Sequence, residues 1–322
     1  MGKVDARNIA FAIGSRLHRH LEMAAHNPRW IVMDCMSRFA SVRRAIQSMK
    51  PDPDLSKYDL DAPRFTCHVD PNDCVAALKD EGFCKGLRLR PKATRRILKF
   101  AQHALCFGNA NPVYGFRYAD KATAEMITGE TFSLARYLYL DELDPTIDSL
   151  ARDPLLLKIS AMYFGSEPTF SGARLWWTFA TPAGDYDESL TTSFFHFDKD
   201  DYAAVRFFFY LTPVDDTRGP HVVVRGSHQR KRLSQIVSLG ERSDREIREY
   251  YGEENFVTIG GAAGSGFGED PFCFHKATRP REGDRLTLEL KFATRDYEVF
   301  PLPDRALSAR VVPDREEEEV AI

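Results

Sequence analysis

The sequence has no CxxC pair, no apolar run of membrane-spanning length and no marked excess of either charge. Each absence removes a class of protein. The six cysteines, Cys35, Cys67, Cys74, Cys84, Cys106 and Cys273, are scattered through 322 residues. They lack the close pairs of a zinc ribbon or a small disulfide framework and read as reduced thiols. A formal net charge of −3 supplies no basic field and argues against a nucleic-acid partner. No segment approaches the roughly 20 apolar residues of a membrane helix. The opening "MGKVDARNIAFAIGSRLHRHLEM" has no signal-peptide core, and Ala6 stands where a myristoylation motif wants Ser or Thr. A soluble, cytoplasmic protein without membrane partners is the expectation. What remains is ordinary globular composition, 43% hydrophobic and 28% charged, with no internal repeat.

The texture changes along the chain. The first half reads as mostly helical. "NPRWIVMDCMSRFASVRRAIQSMK" has roughly helical spacing and is broken by "PDPDLSKYDLDAP". In "DPNDCVAALKDEGF", Asp70 reads as an N-cap, Pro71 as the first helical residue and Gly82 as the stop. "KATRRILKFAQHAL" sets Ile97, Leu98, Ala101 and Leu105 on one face, and "DPLLLKISAMYFG" repeats the Asp-Pro start and Gly stop. After residue 172 come short β-branched or aromatic runs separated by turns: "ARLWWTFATP", "LTTSFFHFD", "AAVRFFFYLTP", "HVVVRG", "NFVTIG", "DPFCFHKA" and "RLTLELKFA". Such punctuation predicts a sandwich, jelly roll or barrel. A charged helical stretch over 231–255 interrupts the strands, and "REEEEVAI" closes the chain as a solvated acidic tail.

Within "SFFHFDKD", His196 and Asp198 alternate and so share one strand face, opposite Phe195 and Phe197. Two His and one carboxylate around a metal with open positions is the arrangement of non-haem Fe(II) oxygenases. A second His is needed. His18, His20, His26 and His103 fall on predicted helices or their ends. His221 and His228 flank the strand–turn "GPHVVVRGSH", and His275 lies on a later strand. Beyond it, Arg285 opens "RLTLELKFA", where Arg285, Thr287 and Glu289 face away from Leu286, Leu288, Leu290 and Phe292.

The segment "HFDKDDYAAVRFFFYLTPVDDTRGPHVVVRGSH", followed by His275 and Arg285, resembles the phytanoyl-CoA dioxygenase-like branch of the Fe(II)/2-oxoglutarate oxygenases. The likeness runs upstream through "VAALKDEGFCKGLRLRPKATRRILKFA" and covers about residues 70–298. It implies a mainly β fold with a helical N-terminal part: a double-stranded β-helix, or cupin-like jelly roll, buttressed by α-helices. It implies Fe(II) held by His196, Asp198 and His275, with 2-oxoglutarate and O2 as the other cofactors. Arg285 would pair with the distal carboxylate of 2-oxoglutarate, with Thr287 beside it, because a guanidinium fork matches a carboxylate bidentately. The implied reaction hydroxylates, desaturates or cyclises a small-molecule metabolite, releasing succinate and CO2. The domains then read as a helical extension over 1–60, an oxygenase domain over 61–310 and an acidic disordered tail over 311–322. The jelly-roll core spans about 172–298, with an insertion or lid at 231–255.

Two residues depart from the branch's pattern: Ala277 stands where a small hydroxyl residue is usual, and Arg225 where a Pro precedes the Gly-Ser-His turn. A second His-x-Asp, His68 and Asp70, is accounted for by the helix start at Pro71. His228 reads as a structural residue at its turn. "GGAAGSGFGED" lacks the Lys-Ser/Thr of a phosphate loop and reads as a flexible turn. "VRFFFYL" reads as a strand buried on both faces rather than a base-stacking platform. One of Trp176 and Trp177 faces the pocket, and Lys199 and Arg206 are candidates to meet the substrate. Two other functions compete: a cupin-like metal enzyme that uses no 2-oxoglutarate, and a non-catalytic metal-binding jelly-roll protein.

Overall fold

The computed structural model describes residues 22–60, 65–67, 69–138, 140, 145–237, 242–297 and 308–313. The expectations at His18, His20, His68 and most of the acidic tail lie outside these residues. Asp-Pro pairs start two helices as their spacing predicts. In α3 (Pro71–Asp80) the Asp70 carboxylate accepts from the Asn72 amide at 2.8 Å. In α7 (Pro154–Phe164) Asp153 accepts from the Leu155 amide, and Gly165 closes the helix at φ 64°. Asp153 also accepts from the Thr66 hydroxyl at 2.9 Å, so one buried carboxylate caps a helix and pins the segment before α3. Two helices precede these, α1 (Pro28–Met36) and α2 (Ala40–Gln47), and α4 (Pro91–His103) lies between them. The short α5 (Lys121–Thr128) and α6 (Pro145–Leu150) complete the helices of the first half.

Four strands also come from this first half: β1 (Phe83–Arg88), β2 (Leu105–Gly108), β3 (Gly115–Arg117) and β4 (Leu134–Arg136). They join β5 (Thr169–Thr178), β6 (Ala204–Tyr210), β9 (Ser265–Glu269) and β11 (Arg285–Ala293) in one eight-stranded antiparallel sheet. Its order is β1-β9-β6-β11-β5-β4-β2-β3. A smaller sheet, β10-β7-β8, comprises β10 (His275–Ala277), β7 (His221–Val224) and β8 (Phe256–Ile259). The His196 segment pairs with the free edge of β10 through a bridge between His196 and His275. From β5 onward the chain therefore passes back and forth between two facing sheets, staying in the small sheet only for the β7–β8 pair, which is a jelly roll.

Strand alternation sorts the side chains. On β11, Leu286, Leu288, Leu290 and Phe292 join Val205, Phe207, Phe209 and Trp177 in the main core, together with Leu78, Ile97 and Ile159 from the helices. The other face looks into the lumen, where Phe208, Tyr210, Phe267 and Val223 pack between the sheets with Trp176 against them. All seven residues of β6 are buried, so its aromatic run is core on both faces. Trp177 is the outward tryptophan, stacked on Tyr118 at 4.0 Å and donating to the Tyr137 hydroxyl.

One expectation is corrected. The glycine-rich 260–270 stretch is no flexible turn: its second half is β9, paired with β1 on one side and β6 on the other. Its glycines are a packing requirement, since a Cβ at Gly266 would lie 2.4 Å from the Phe209 ring. The 231–255 segment forms α8 (Leu233–Val237) and α9 (Asp244–Tyr251). Ile247 and Tyr251 of α9 pack on Phe195, Val222, Val224 and Phe274. Its described part thus covers the outer face of the small sheet, away from the His196 and Asp198 face. No helix among the described residues is long and apolar enough to cross a membrane.

Candidate metal centre

Phe195 is fully buried against α9 and the small sheet, which turns His196 and Asp198 the other way, into the lumen. The bridge to β10 brings His275 alongside, with imidazole centroids 4.4 Å apart. One ligand atom from each of His196, Asp198 and His275 lies within 4.8 Å of the other two. His275 Nε2 is 3.5 Å and His196 Nε2 3.9 Å from Asp198 Oδ2. His221 and His228, the other candidates for the third ligand, lie outside this group.

Backbone carbonyls set the tautomers. His196 Nδ1 is 2.9 Å from the Phe194 carbonyl, and His275 Nδ1 is 2.9 Å from the Cys273 carbonyl. A carbonyl only accepts, so each Nδ1 carries the proton and each Nε2 presents a lone pair to the centre. Ser227 holds the second carbonyl in register: its hydroxyl accepts from the Phe274 amide at 2.7 Å and donates to the Val224 carbonyl.

Around the triad stands a charged network. Arg206 reaches Asp198 at 2.6 Å, both oxygens of Asp200 at 2.7 and 2.8 Å, and Glu289 at 3.1 Å. Against the cost of burial, Arg206 holds the Asp198 carboxyl well below the usual carboxylate range, and these acids raise the Arg206 guanidinium. Glu269, 1% exposed, lies 3.1 Å from His275 Nδ1 and 2.7 Å from His221 Nε2. Despite burial, His275 and His221 hold its carboxyl down to about 2. Burial, then the charge of His275, presses His196 down to about 4, whereas Glu269 and Asp198 overcome burial and lift His275 to about 10. The carboxylates of Asp198 and Glu269 thus favour positive charge at the His275 side of the triad.

Arg285 lies at one end of the same lumen face, 3% exposed. Its Nη2 donates to the Thr178 hydroxyl at 3.2 Å, and among the described residues its Nε has no hydrogen-bond partner and no carboxylate pairs with it. The Thr287 hydroxyl, buried beside it, also has no hydrogen-bond partner among the described residues. A buried guanidinium is stable only with an anion, so this arrangement fits a carboxylate-bearing ligand that enters the lumen. The triad supplies two imidazoles and a carboxylate with room for further ligands, a donor set suited to Fe(II).

Other candidates take different places. Lys199 does not face the lumen; it pairs with buried Asp34 of α1 and ties the N-terminal helices to the triad strand. Arg206 is saturated by carboxylates and so is a brace rather than a substrate contact. The Thr278 hydroxyl donates to the Pro220 carbonyl at 2.6 Å, so it does not substitute for the hydroxyl missing at Ala277. Arg225 pairs with Glu81 at 3.5 Å on the surface. His228 joins the end of α3 to the small sheet through the Lys79 carbonyl and the Cys273 thiol. Sequence reasoning missed Glu269 altogether, although "SGFGE" alternates with period two and would have placed it on the Phe267 face.

A scan against protein-family models and a search of curated proteins both find no match for the chain. Solved structures do share the fold. The chain is similar to the non-heme alpha-ketoglutarate-dependent epimerase SnoN from nogalamycin biosynthesis, with a TM-score of 0.52 and 15% identity over 73% of this chain and 90% of that one. It is also similar to EvdO2 from Micromonospora carbonacea var. aurantiaca, complexed with 2-oxoglutarate. There the TM-score is 0.49 and identity 14%, over 75% and 98% of the two chains. The likeness to SnoN agrees with the jelly-roll fold described above.

Proposed function

We propose that this protein is an Fe(II)- and 2-oxoglutarate-dependent oxygenase, similar to the phytanoyl-CoA dioxygenase-like branch, acting on a small-molecule metabolite. The observation that carries the reading is Arg285, a buried guanidinium without a carboxylate, on the lumen face that also receives His196, Asp198 and His275. In this reading the three ligands hold iron, and Arg285 with Thr178 and Thr287 anchors the far carboxylate of 2-oxoglutarate. Iron and 2-oxoglutarate, when bound, supply O2-driven oxidation of a substrate C–H bond with release of succinate and CO2.

The chain's own residues do the positioning. Carbonyls of Phe194 and Cys273 keep both imidazoles in the ligating tautomer, and Glu269 reinforces that of His275. Arg206 keeps Asp198 ionised and aimed. Phe208, Tyr210 and Phe267 exclude water from the lumen wall between the triad and Arg285. An anaerobic titration of Fe(II)-loaded protein with 2-oxoglutarate tests the reading by the visible charge-transfer band of the chelate. The band should appear in wild type, vanish in His196→Ala and need far more 2-oxoglutarate in Arg285→Ala. Iron bound without a band would favour a jelly-roll metal protein that uses no 2-oxoglutarate.

A further inference from the structure

Arg285 is not the lumen's sole cation short of an anion. On the same face, toward the opposite end of β11, three more cations converge. Arg174 stands directly across from Glu289, and Lys291 directly across from Arg206. Arg136 on β4 pairs across to Trp176, one lumen-facing position along β5 from Arg174. Cross-strand partners share a face and stand close together, so these residues form one patch. All three are half-buried.

The acids facing them are already engaged. Asp198 belongs to the triad, and Asp200 takes two hydrogen bonds from Arg206. Glu289 is shared between Arg206 at 3.1 Å and Arg174 at 3.6 Å. Among the described residues no carboxylate forms a close ion pair with Arg136 or Lys291; Glu289 attracts both, and Asp200 attracts Lys291, only while held by Arg206. Burial and the charge of Arg174 pull Arg136 down to about 10 and lower Lys291 as well, outweighing the attraction of Glu289 for both and of Asp200 for Lys291. Such crowding of cations costs free energy in the empty protein and is relieved by an incoming anion.

We propose that Arg136, Arg174 and Lys291 form the substrate subsite of this oxygenase and that the substrate carries an oxyanion, a carboxylate or phosphate ester, which they bind while its neutral part lies beside the triad. This rests on the oxygenase reading for the word substrate, but the anion preference is measurable without it. Arg174 is linked to the triad through Glu289 and Arg206, so the anion would sit one residue layer from the metal. The subsite also differs from the Arg285 end in kind. One is a closed seat for a single carboxylate, whereas the other is a half-open cationic mouth.

The test measures equilibrium dialysis of 1-naphthyl phosphate, 1-naphthoate and neutral 1-naphthol against anaerobic protein loaded with Fe(II) and 2-oxoglutarate, while the charge-transfer band is monitored. The anionic probes should bind about tenfold tighter than naphthol, and their order distinguishes a phosphate from a carboxylate subsite. Arg136→Gln and Lys291→Met should each lose most of that preference without weakening the band. Both variants should melt no lower than wild type, since each removes an unpaired cation, and Lys92→Gln on the exposed face of α4 should change nothing. Equal binding of the three probes, or a preference that survives Arg136→Gln with Lys291→Met, would overturn the proposal. So would anion binding that bleaches the band, because it would place the probe at Arg285. If wild type shows no band, the oxygenase reading fails by itself, and the same probe comparison on the Fe(II) protein still decides the anion subsite.

Discussion

Arg206 and Arg285 are both nearly inaccessible, both on lumen-facing strands and on the same side of one sheet. Among the described residues Arg206 touches three carboxylates, and Arg285 touches none. A guanidinium surrounded by acids is a finished structural element, whose charge is spent on holding the protein together. A guanidinium at the same depth with one hydroxyl for company is unfinished until a ligand arrives. The contrast shows that charge and burial alone do not mark a binding residue; the count of partners does.

The comparison can be broken or sharpened by substitution. The largest effect is expected for His196→Ala, which should abolish stoichiometric Fe(II) binding, read by metal analysis after desalting, while leaving both arginines in place. Arg206→Met should come next. It strands Asp198, Asp200 and Glu289 without their cation and should cost about 3–5 kcal/mol in chemical denaturation. Arg285→Met should leave stability unchanged or raised, yet weaken 2-oxoglutarate binding by roughly two orders of magnitude in calorimetry. If the two methionine variants lost stability equally, the distinction between brace and seat would fall. Glu269→Gln should lower metal affinity by about 10–100-fold, measured by competition with a chelator.

The smallest effect concerns the N-terminal helices. Lys199 and Arg38 hold the Asp34 carboxyl below its ordinary value of 3.8 despite burial. A lowered carboxyl pKa contributes stability that is present above the ordinary value and lost as pH falls through the folded one. Asp34→Asn should therefore lower the melting temperature by a few degrees at pH 7, and the gap from wild type should narrow as the pH drops below 3.8.

Much of this was legible in the sequence because period-two alternation is a local property. The Leu286 to Phe292 ladder announced the core face of β11 and so placed Arg285 on the other. His196 and Asp198 were legible for the same reason. Three strands from the first half were not, because β2, β3 and β4 are three or four residues long and take their conformation from pairing with distant segments. β9 was hidden because its glycines read as loop. The pairing of Lys199 with Asp34 and of Arg206 with Glu289 could not be read at all, since these acids are far away in the chain and only the closed fold brings them near.

The glycines of β9 have one more consequence. On the helix-facing side this strand contributes no side chains; Phe207 and Phe209 of its neighbour fill the space instead, and a Cβ at Gly268 would lie 3.0 Å from the Cys84 thiol and 3.1 Å from the Phe207 ring. Glu269 follows directly, so its position beside His275 depends on how close β9 can lie to β6. A methyl group added on the outside of the sheet would displace the carboxylate on the inside. The mutational tolerance of the metal centre is thus set partly in the packing layer behind it, where no residue carries charge or touches a ligand.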